Sequence, residues 1–268
     1  VTITSRQNPL VARFRAAARG DAGDVLLLDG AHLVADALAA GLIIRHAAVT
    51  PAAREKHDIK DLIAALSNAR VDVVTVLAPV MDAISPVRSS SAIVALAEQP
   101  AAADDRIYAG PAPLVVVAVD VQDPGNVGAI VRVAEAGGAT GVLAAGGSAS
   151  PFGWKALRGS MGSALRLPIV CEADAGAALA AARSHGCRIV ATAPRGGRLL
   201  FDTVLTGPVA VLIGGEGEGL APALLVAADE QITVPMQPPV ESLNAAVTAA
   251  LIVYEARRQR TTNVERRT

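Results

Sequence analysis

From residue 114 onward the chain carries six short strand-like runs that are apolar nearly throughout: LVVVAVD (114–120), TGVLAAGG (140–147), LRLPIVC (165–171), CRIVATA (187–193), PVAVLIGG (208–215) and QITVPM (231–236). A strand with one wet face alternates apolar and polar residues, whereas a strand covered on both faces does not. The runs therefore predict a parallel sheet between layers of helix, the α/β class. With 52% hydrophobic and 18% charged residues the chain can bury such a sheet, and wholesale disorder is excluded.

Earlier in the chain, strand-like DVLLLDG, LIIRHAAVT, VDVVTVL and SAIVALAE alternate with helical AHLVADALAAG and IKDLIAALSNA, which reads as a smaller α/β domain. EQPAAADDRIYAGPAP, residues 98–113, has no amphipathic period and is rich in Pro, Gly, Ala and Asp. The expected division is a first domain at 1–98, a linker at 99–112 and a second domain at 113–268. Net charge is −1, yet the first twenty residues hold Arg6, Arg13, Arg15 and Arg19 without a carboxylate, and the last helix carries Arg257, Arg258 and Arg260. Basic ends suit a nucleic-acid partner, and solvated termini explain them equally well. Cys171 and Cys187 lack metal spacing and read as small buried hydrophobes in a reducing compartment. No signal segment or bilayer-length apolar run is present, so a soluble, cytoplasmic protein is expected.

Three loops follow strands of the second domain. DPGNVGAIVRVAEAGG (123–138) lacks the G-x-G-x-x-G dinucleotide fingerprint, and the next strand ends in glycines instead of an acid for a ribose. The Walker phosphate loop is absent from the sequence. Asn126 reads as an N-cap before an inner face of Val127, Ile130, Val131 and Ala134. Arg132 lies off that face and leans back over Gly128 toward Asn126; alternatively it forms a surface pair with Glu135. VLIGGEGEGL (211–220) runs a buried strand into glycines with Glu216 and Glu218. VPMQPPVESLNAAVTAALIVYEARRQR (234–260) offers a Pro-Pro loop, Ser242 as an N-cap, and a helix with an apolar stripe of Leu243, Val247, Ala250, Leu251 and Tyr254. Each loop alone could merely end a strand or cap a helix. Together they fall at the carboxyl ends of strands, where open α/β sheets bind ligands.

Three motifs, Asn126-Val-Gly-Ala-Ile-Val-Arg132, Gly214-Gly-Glu-Gly-Glu-Gly219 and Val234-Pro-Met…Ser242-Leu-Asn244, resemble in order and spacing those of the SpoU/TrmH RNA ribose 2′-O-methyltransferases of the SPOUT superfamily. SPFGWKALRGSMGSALRLPI (150–169) resembles a further family segment, and the N-terminal part resembles the family's substrate-binding domain. Pro238 stands where the family usually has glycine, and Asp29-Gly30 replaces a Glu-Gly, which bears on RNA contacts.

The resemblance implies a trefoil-knotted methyltransferase domain at 113–268, a smaller RNA-binding domain at 1–98, and a homodimer formed through the C-terminal domain. It implies S-adenosylmethionine as cofactor, with Gly214, Val234 and Leu243 as main adenosine contacts and Thr192, Gly215, Gly219 and Met236 as neighbours. Asn126, Glu216, Ser242 and Asn244 would position RNA and cofactor. Arg132 would be a general base or a phosphate clamp. The clamp is the easier role, because a guanidinium holds its proton far above neutral pH and neutralising it at pH 7 costs about 8 kcal/mol. No metal is expected. The substrate would be ribosomal RNA, serving either rRNA processing or antibiotic resistance. A tRNA ribose methyltransferase and a non-catalytic ribosome-assembly factor of the same fold are the alternatives.

Overall fold

A computed structural model of the chain describes residues 2–265, with side chains described as far as residue 262. The chain forms two compact units that interleave in sequence: one runs to Ala101 and takes in Phe152–Arg166, and the other holds Ala102–Pro151 and the chain from Leu167 on.

The first unit alternates β1 (Thr2–Ile3), α1 (Pro9–Arg19), β2 (Val25–Asp29), α2 (Ala31–Ala39), β3 (Ile44–Val49), α3 (Pro51–Arg54), α4 (His57–Asn68), β4 (Asp72–Val76), α5 (Ala78–Ile84) and β5 (Ile93–Glu98). Its sheet order is β1-β4-β3-β5-β2, with β5 antiparallel to both neighbours. α1 shows how local chemistry sets an element. Asn8 accepts from Leu10 N at 2.8 Å, Pro9 fits the first turn, and Gly20 closes the helix in the left-handed conformation. Phe14, Leu27, Met81, Ile84 and Leu96 fill the core behind it.

The second unit opens with a 3₁₀ turn (Asp104–Tyr108) and continues as β6 (Leu114–Val119), α6 (Pro124–Gly137) and β7 (Gly141–Ala145). α7 (Trp154–Ser160) belongs to the first unit. The second unit resumes with β8 (Ile169–Glu172), α8 (Ala175–Ser184), β9 (Arg188–Thr192), β10 (Arg198–Leu199), β11 (Val209–Gly214), α9 (Pro222–Ala227), β12 (Glu230–Thr233) and α10 (Ala245–Glu265). Its seven strands are all parallel, in the order β10-β12-β9-β11-β6-β7-β8. The six apolar runs all contribute strands, and β6, β7 and β11 are buried along almost their whole length, as a sheet covered on both faces requires.

Several expectations need correction. Residues 102–112 are no free linker: Ile107 is buried against Gly141, and Thr140 Oγ1 donates to the Ile107 carbonyl at 2.6 Å. The segment Phe152–Arg166, expected with the C-terminal domain, folds with the first unit. There Trp154 packs on its core and Arg158 donates to Asp29 Oδ2 at 2.6 Å. Asp29 has a side chain only 1% exposed and also accepts from Ser85 Oγ at 2.9 Å. It is therefore an internal tie of the first unit, since a buried carboxylate needs such partners. The basic termini are largely engaged as well. Arg6 donates to the Pro79 carbonyl, Arg13 meets His46, Arg19 pairs with Asp21, Arg257 donates to Ala136 O and Arg258 pairs with Glu255. Arg260 is spent on main-chain carbonyls. Cys187 is buried, but Cys171 is exposed at the sheet's edge strand β8.

α10 turns the other way from the stripe expected of it. Ala245, Ala249, Ile252, Val253 and Ala256 face the core, while Val247, Leu251 and Tyr254 are 48%, 38% and 52% exposed. The reason is close packing of small residues: a Cβ on Gly137 of α6 would lie 2.1 Å from Val253 Cγ1, so only the alanine-rich face can approach α6 this closely.

Candidate active site

The first motif enters α6 three residues earlier than its asparagine suggests. Asp123 is the N-cap, accepting from Asn126 N at 2.9 Å, and Pro124 takes the first helical position. Asn126 is thereby released from capping and sits one turn into the helix with its amide free to bridge. Its Nδ2 donates to Glu216 Oε1, and its Oδ1 accepts from Asn244 Nδ2 at 3.0 Å. Glu216 can only accept, which fixes which end of the Asn126 amide faces it. Asn244, not Ser242, caps α10, with its Oδ1 accepting from Ala246 N at 2.9 Å and Val247 N at 3.2 Å. One hydrogen-bonded chain, Glu216–Asn126–Asn244, thus joins side chains from all three motifs, 90 and 118 residues apart in sequence. Glu216 and Asn244 are solvent-exposed and Asn126 half-buried, so a ligand can reach the chain.

A cavity of about 540 Å³ lies between two loops of the same unit, one spanning 194–199 and the other 233–241. Leu199, Val234, Met236 and Val240 give it apolar walls, and Pro238 and Pro239 line it too. Thr233 pins the loops together, accepting from Gly197 N and donating to the Ala193 carbonyl, both at 3.0 Å. Arg195 and Glu241 pair at 3.0 Å across the loops.

Of the residues singled out from the sequence, Asn126, Glu216 and Asn244 come together, and Val234 and Met236 line the cavity. Thr192 ends β9 with its hydroxyl donating to Leu212 O at 2.9 Å, and it does not line the cavity. Gly214 and Gly215 are packed on main chain. A Cβ on Gly214 would meet Gly219 C at 2.5 Å, one on Gly215 would meet Asp120 O at 2.0 Å, and Gly215 bridges to Gly219. Leu243 is half-buried just before the cap Asn244. Ser242 and Arg132 are exposed, and among the described residues Arg132 makes no bond to Asn126. The reading missed Asp123 as the cap and the 194–199 loop as a cavity wall. The Asp-Pro pair before the helix and the Gly-Gly between Arg195 and Arg198 were the signals.

No group of three His, Cys, Asp or Glu able to hold a metal occurs among the described residues, and no described helix is long and apolar enough to cross a membrane.

Fold and site define an α/β protein whose motif side chains and cavity loops follow β6, β9, β11 and β12, on the carboxyl edge of a parallel sheet where open α/β folds bind ligands. The profile of the SpoU rRNA methylase family matches residues 113–254, more than half the chain, and the chain belongs to that family. It is 33% identical to an uncharacterized tRNA/rRNA methyltransferase of Synechocystis, across 96% of this chain and 94% of that one. It is 28% identical to a 23S rRNA guanosine 2′-O-methyltransferase of Bacillus subtilis, across 87% of this chain and 89% of the relative. Among solved structures it resembles a SpoU methyltransferase of Streptomyces viridochromogenes in complex with AdoMet. The TM-score is 0.87 at 29% identity, covering 96% of this chain and 99% of the other.

Proposed function

We propose that the protein transfers a methyl group from S-adenosylmethionine to a ribose 2′-hydroxyl of RNA, with ribosomal RNA as substrate. The observation that carries this reading is the Glu216–Asn126–Asn244 chain, which brings all three family motifs to one exposed point. The cofactor of the Streptomyces structure and the 23S substrate of the Bacillus relative support it.

The cavity suits the cofactor. Its volume falls in the range of about 300–1,000 Å³ usual for small-molecule sites, and apolar walls meet loop main chain there, as an adenosine requires. Val234 and Met236 would hold the adenosine, with Thr192, Gly214, Gly215, Gly219 and Leu243 along the same sheet edge. When bound, the sulfonium supplies the methyl group in electrophilic form. The protein's share is orientation, worth about 7–11 kcal/mol of barrier when complete. Asn126, Asn244 and Ser242 orient the ribose, and Glu216 offers a carboxylate to its hydroxyl. Arg132, exposed on α6, clamps a phosphate. Arg132→Lys separates clamp from base: if Arg132 is a clamp, the variant keeps weak activity without new pH dependence, and if it is the base, the variant's rate rises with pH.

The reading includes a trefoil knot in the second unit and a homodimer through α10. Val247, Leu251 and Tyr254 form an exposed apolar face at i, i+4 and i+7, the kind a subunit interface covers. Light scattering of the wild type and of Leu251→Glu should give a dimer and a monomer. A wild-type monomer with full activity would refute this part. A cytoplasmic location follows from the substrate.

The deciding experiment incubates the protein with labelled S-adenosylmethionine and ribosomal RNA or tRNA, then maps ribose methylation. Label at a ribose of ribosomal RNA is the expected result. Label in tRNA alone changes the substrate, and failure to bind the cofactor saturably leaves a non-catalytic RNA-binding factor.

A further inference from the structure

Asp120 follows β6 with φ 55, in the left-handed region that residues other than glycine seldom enter. Asp and Asn tolerate it best, because their short side chains can hydrogen-bond locally. Here the local partner is the loop after β7. Asp120 N donates to Ala145 O at 3.2 Å, and its Oδ1 accepts from Gly147 N at 2.7 Å. The next residue extends the clasp: Val121 N donates to Ser148 Oγ at 3.0 Å, and Val121 O accepts from Ala149 N at 2.9 Å. Gly146 leaves the room for it, since a Cβ there would sit 2.5 Å from Asp120 Oδ1.

On its other side Asp120 bears on the loop after β11. Its carbonyl oxygen lies where a Gly215 Cβ would be only 2.0 Å away, so the two main chains touch directly, one residue before Glu216. Three residues beyond Asp120, Asp123 caps α6 and sets the turn that carries Asn126. Both ends of the Asn126–Glu216 hydrogen bond therefore hang on the 120–123 turn. Asp120 is exposed and adds nothing to the core. A strained residue held from two sides without a packing role points to function.

We infer that Asp120 is a positioning residue. By clasping the β7 loop it fixes the turn against which Gly215 rests, and so places Glu216 opposite Asn126. The inference rests on the methyl-transfer reading only in taking Glu216 as part of the site.

The test uses the full chain with three changes: Asp120→Gly, which removes the carboxylate but accepts the backbone conformation, Asp120→Asn, and Glu216→Gln. Asp120→Gly should lower the single-turnover methylation rate about tenfold or more with KM for cofactor and RNA changed less than about threefold. Asp120→Asn should stay within about threefold of wild type, because its amide oxygen accepts the same Gly147 N–H. The double variant Asp120→Gly with Glu216→Gln should be no slower than Glu216→Gln alone, within about twofold. Additive losses, or an Asn variant as slow as the Gly variant, would overturn the inference. A crystal structure of Asp120→Gly gives an arm independent of activity: Glu216 should leave hydrogen-bond reach of Asn126, and unchanged geometry would overturn the inference. If the wild type methylates no RNA, the methyl-transfer reading falls, and the crystallographic arm still decides the role of Asp120.

Discussion

The two ends of α10 solve opposite problems with similar atoms. At its N-terminus Asn244 hands an amide to Asn126, which hands one to Glu216, all side chain to side chain and open to water. At its C-terminal end Arg260 donates to four main-chain carbonyls, Leu205 at 2.9 Å, Ala112 at 2.6 Å, Gly207 at 2.8 Å and Pro113 at 3.4 Å. Gln259 joins it there, donating to Thr203 O and accepting from Leu205 N, both at 2.8 Å. Burial pulls the Arg260 guanidinium below its ordinary pKa. Glu255, 7% exposed, is held below the usual carboxylate range, first by the Arg258 hydrogen bond and then by Gln259, against its burial. Main-chain partners cannot swing away, so this end locks helix to sheet. Exposed side-chain partners can be exchanged for ligand atoms, and their loss costs the fold little.

The largest effect should separate the ends outright. Asn126→Ala should slow single-turnover methylation by about 10²-fold or more while stability falls by less than about 1 kcal/mol. A thermal shift as large as that of an Arg260 variant would erase the distinction. Arg260→Ala should do the reverse, lowering unfolding free energy by about 2–3 kcal/mol with the rate at low temperature within about twofold of wild type. Denaturant melts and single-turnover assays on the same preparation check both. Glu255 sharpens the buried end through pH. Its folded pKa lies below the ordinary 4.5, so its contribution is present above that value and lost as pH falls through the folded value. Denaturation midpoints of wild type and Glu255→Gln should differ at neutral pH and converge in acid. The smallest effect concerns Tyr108, whose buried hydroxyl has no hydrogen-bond partner among the described residues. Burial chiefly, then Cys187 and Asp105, pushes it up to about 12 from 10.0. Stability is therefore untouched below pH 10.0 and falls as pH rises from there through about 12, where the unfolded chain ionises first. Tyr108→Phe should be as stable as wild type at neutral pH, and should lack the alkaline step that wild type shows in tyrosinate absorbance and melting midpoint.

What the sequence revealed depended on how far each signal reached. Strands β6, β7, β9 and β11 were legible because burial on both faces leaves an unbroken apolar run. The two-residue strands β1 and β10 leave no period to read. The buried face of α10 was ambiguous because alanine makes both its faces apolar, and only the approach of Gly137 to Val253 decides between them. Asn126 and Asp123 are both good caps, and Pro124 rather than propensity settles which one serves. The motif residues Asn126, Glu216 and Asn244 were legible as candidates, but their joining depends on contacts across 90 and 118 residues. Gly146 and Gly147 looked like a missing ribose acid until Asp120 gave them a partner.

The return of Phe152–Arg166 to the first unit sets a timetable for synthesis. A chain leaves the ribosome N-terminus first, and Asp29 emerges 129 residues ahead of the Arg158 that pairs with its carboxylate. At about 5–20 residues per second that interval is roughly 6–26 s. From the emergence of Glu98 until Trp154 and Arg158 follow, the first unit has strands β1 to β5 in hand but neither Trp154 against its core nor a cation for Asp29. The nascent intermediate thus carries an uncovered apolar patch and a carboxylate still open to water, and the second unit's first strands are made before the first unit can close.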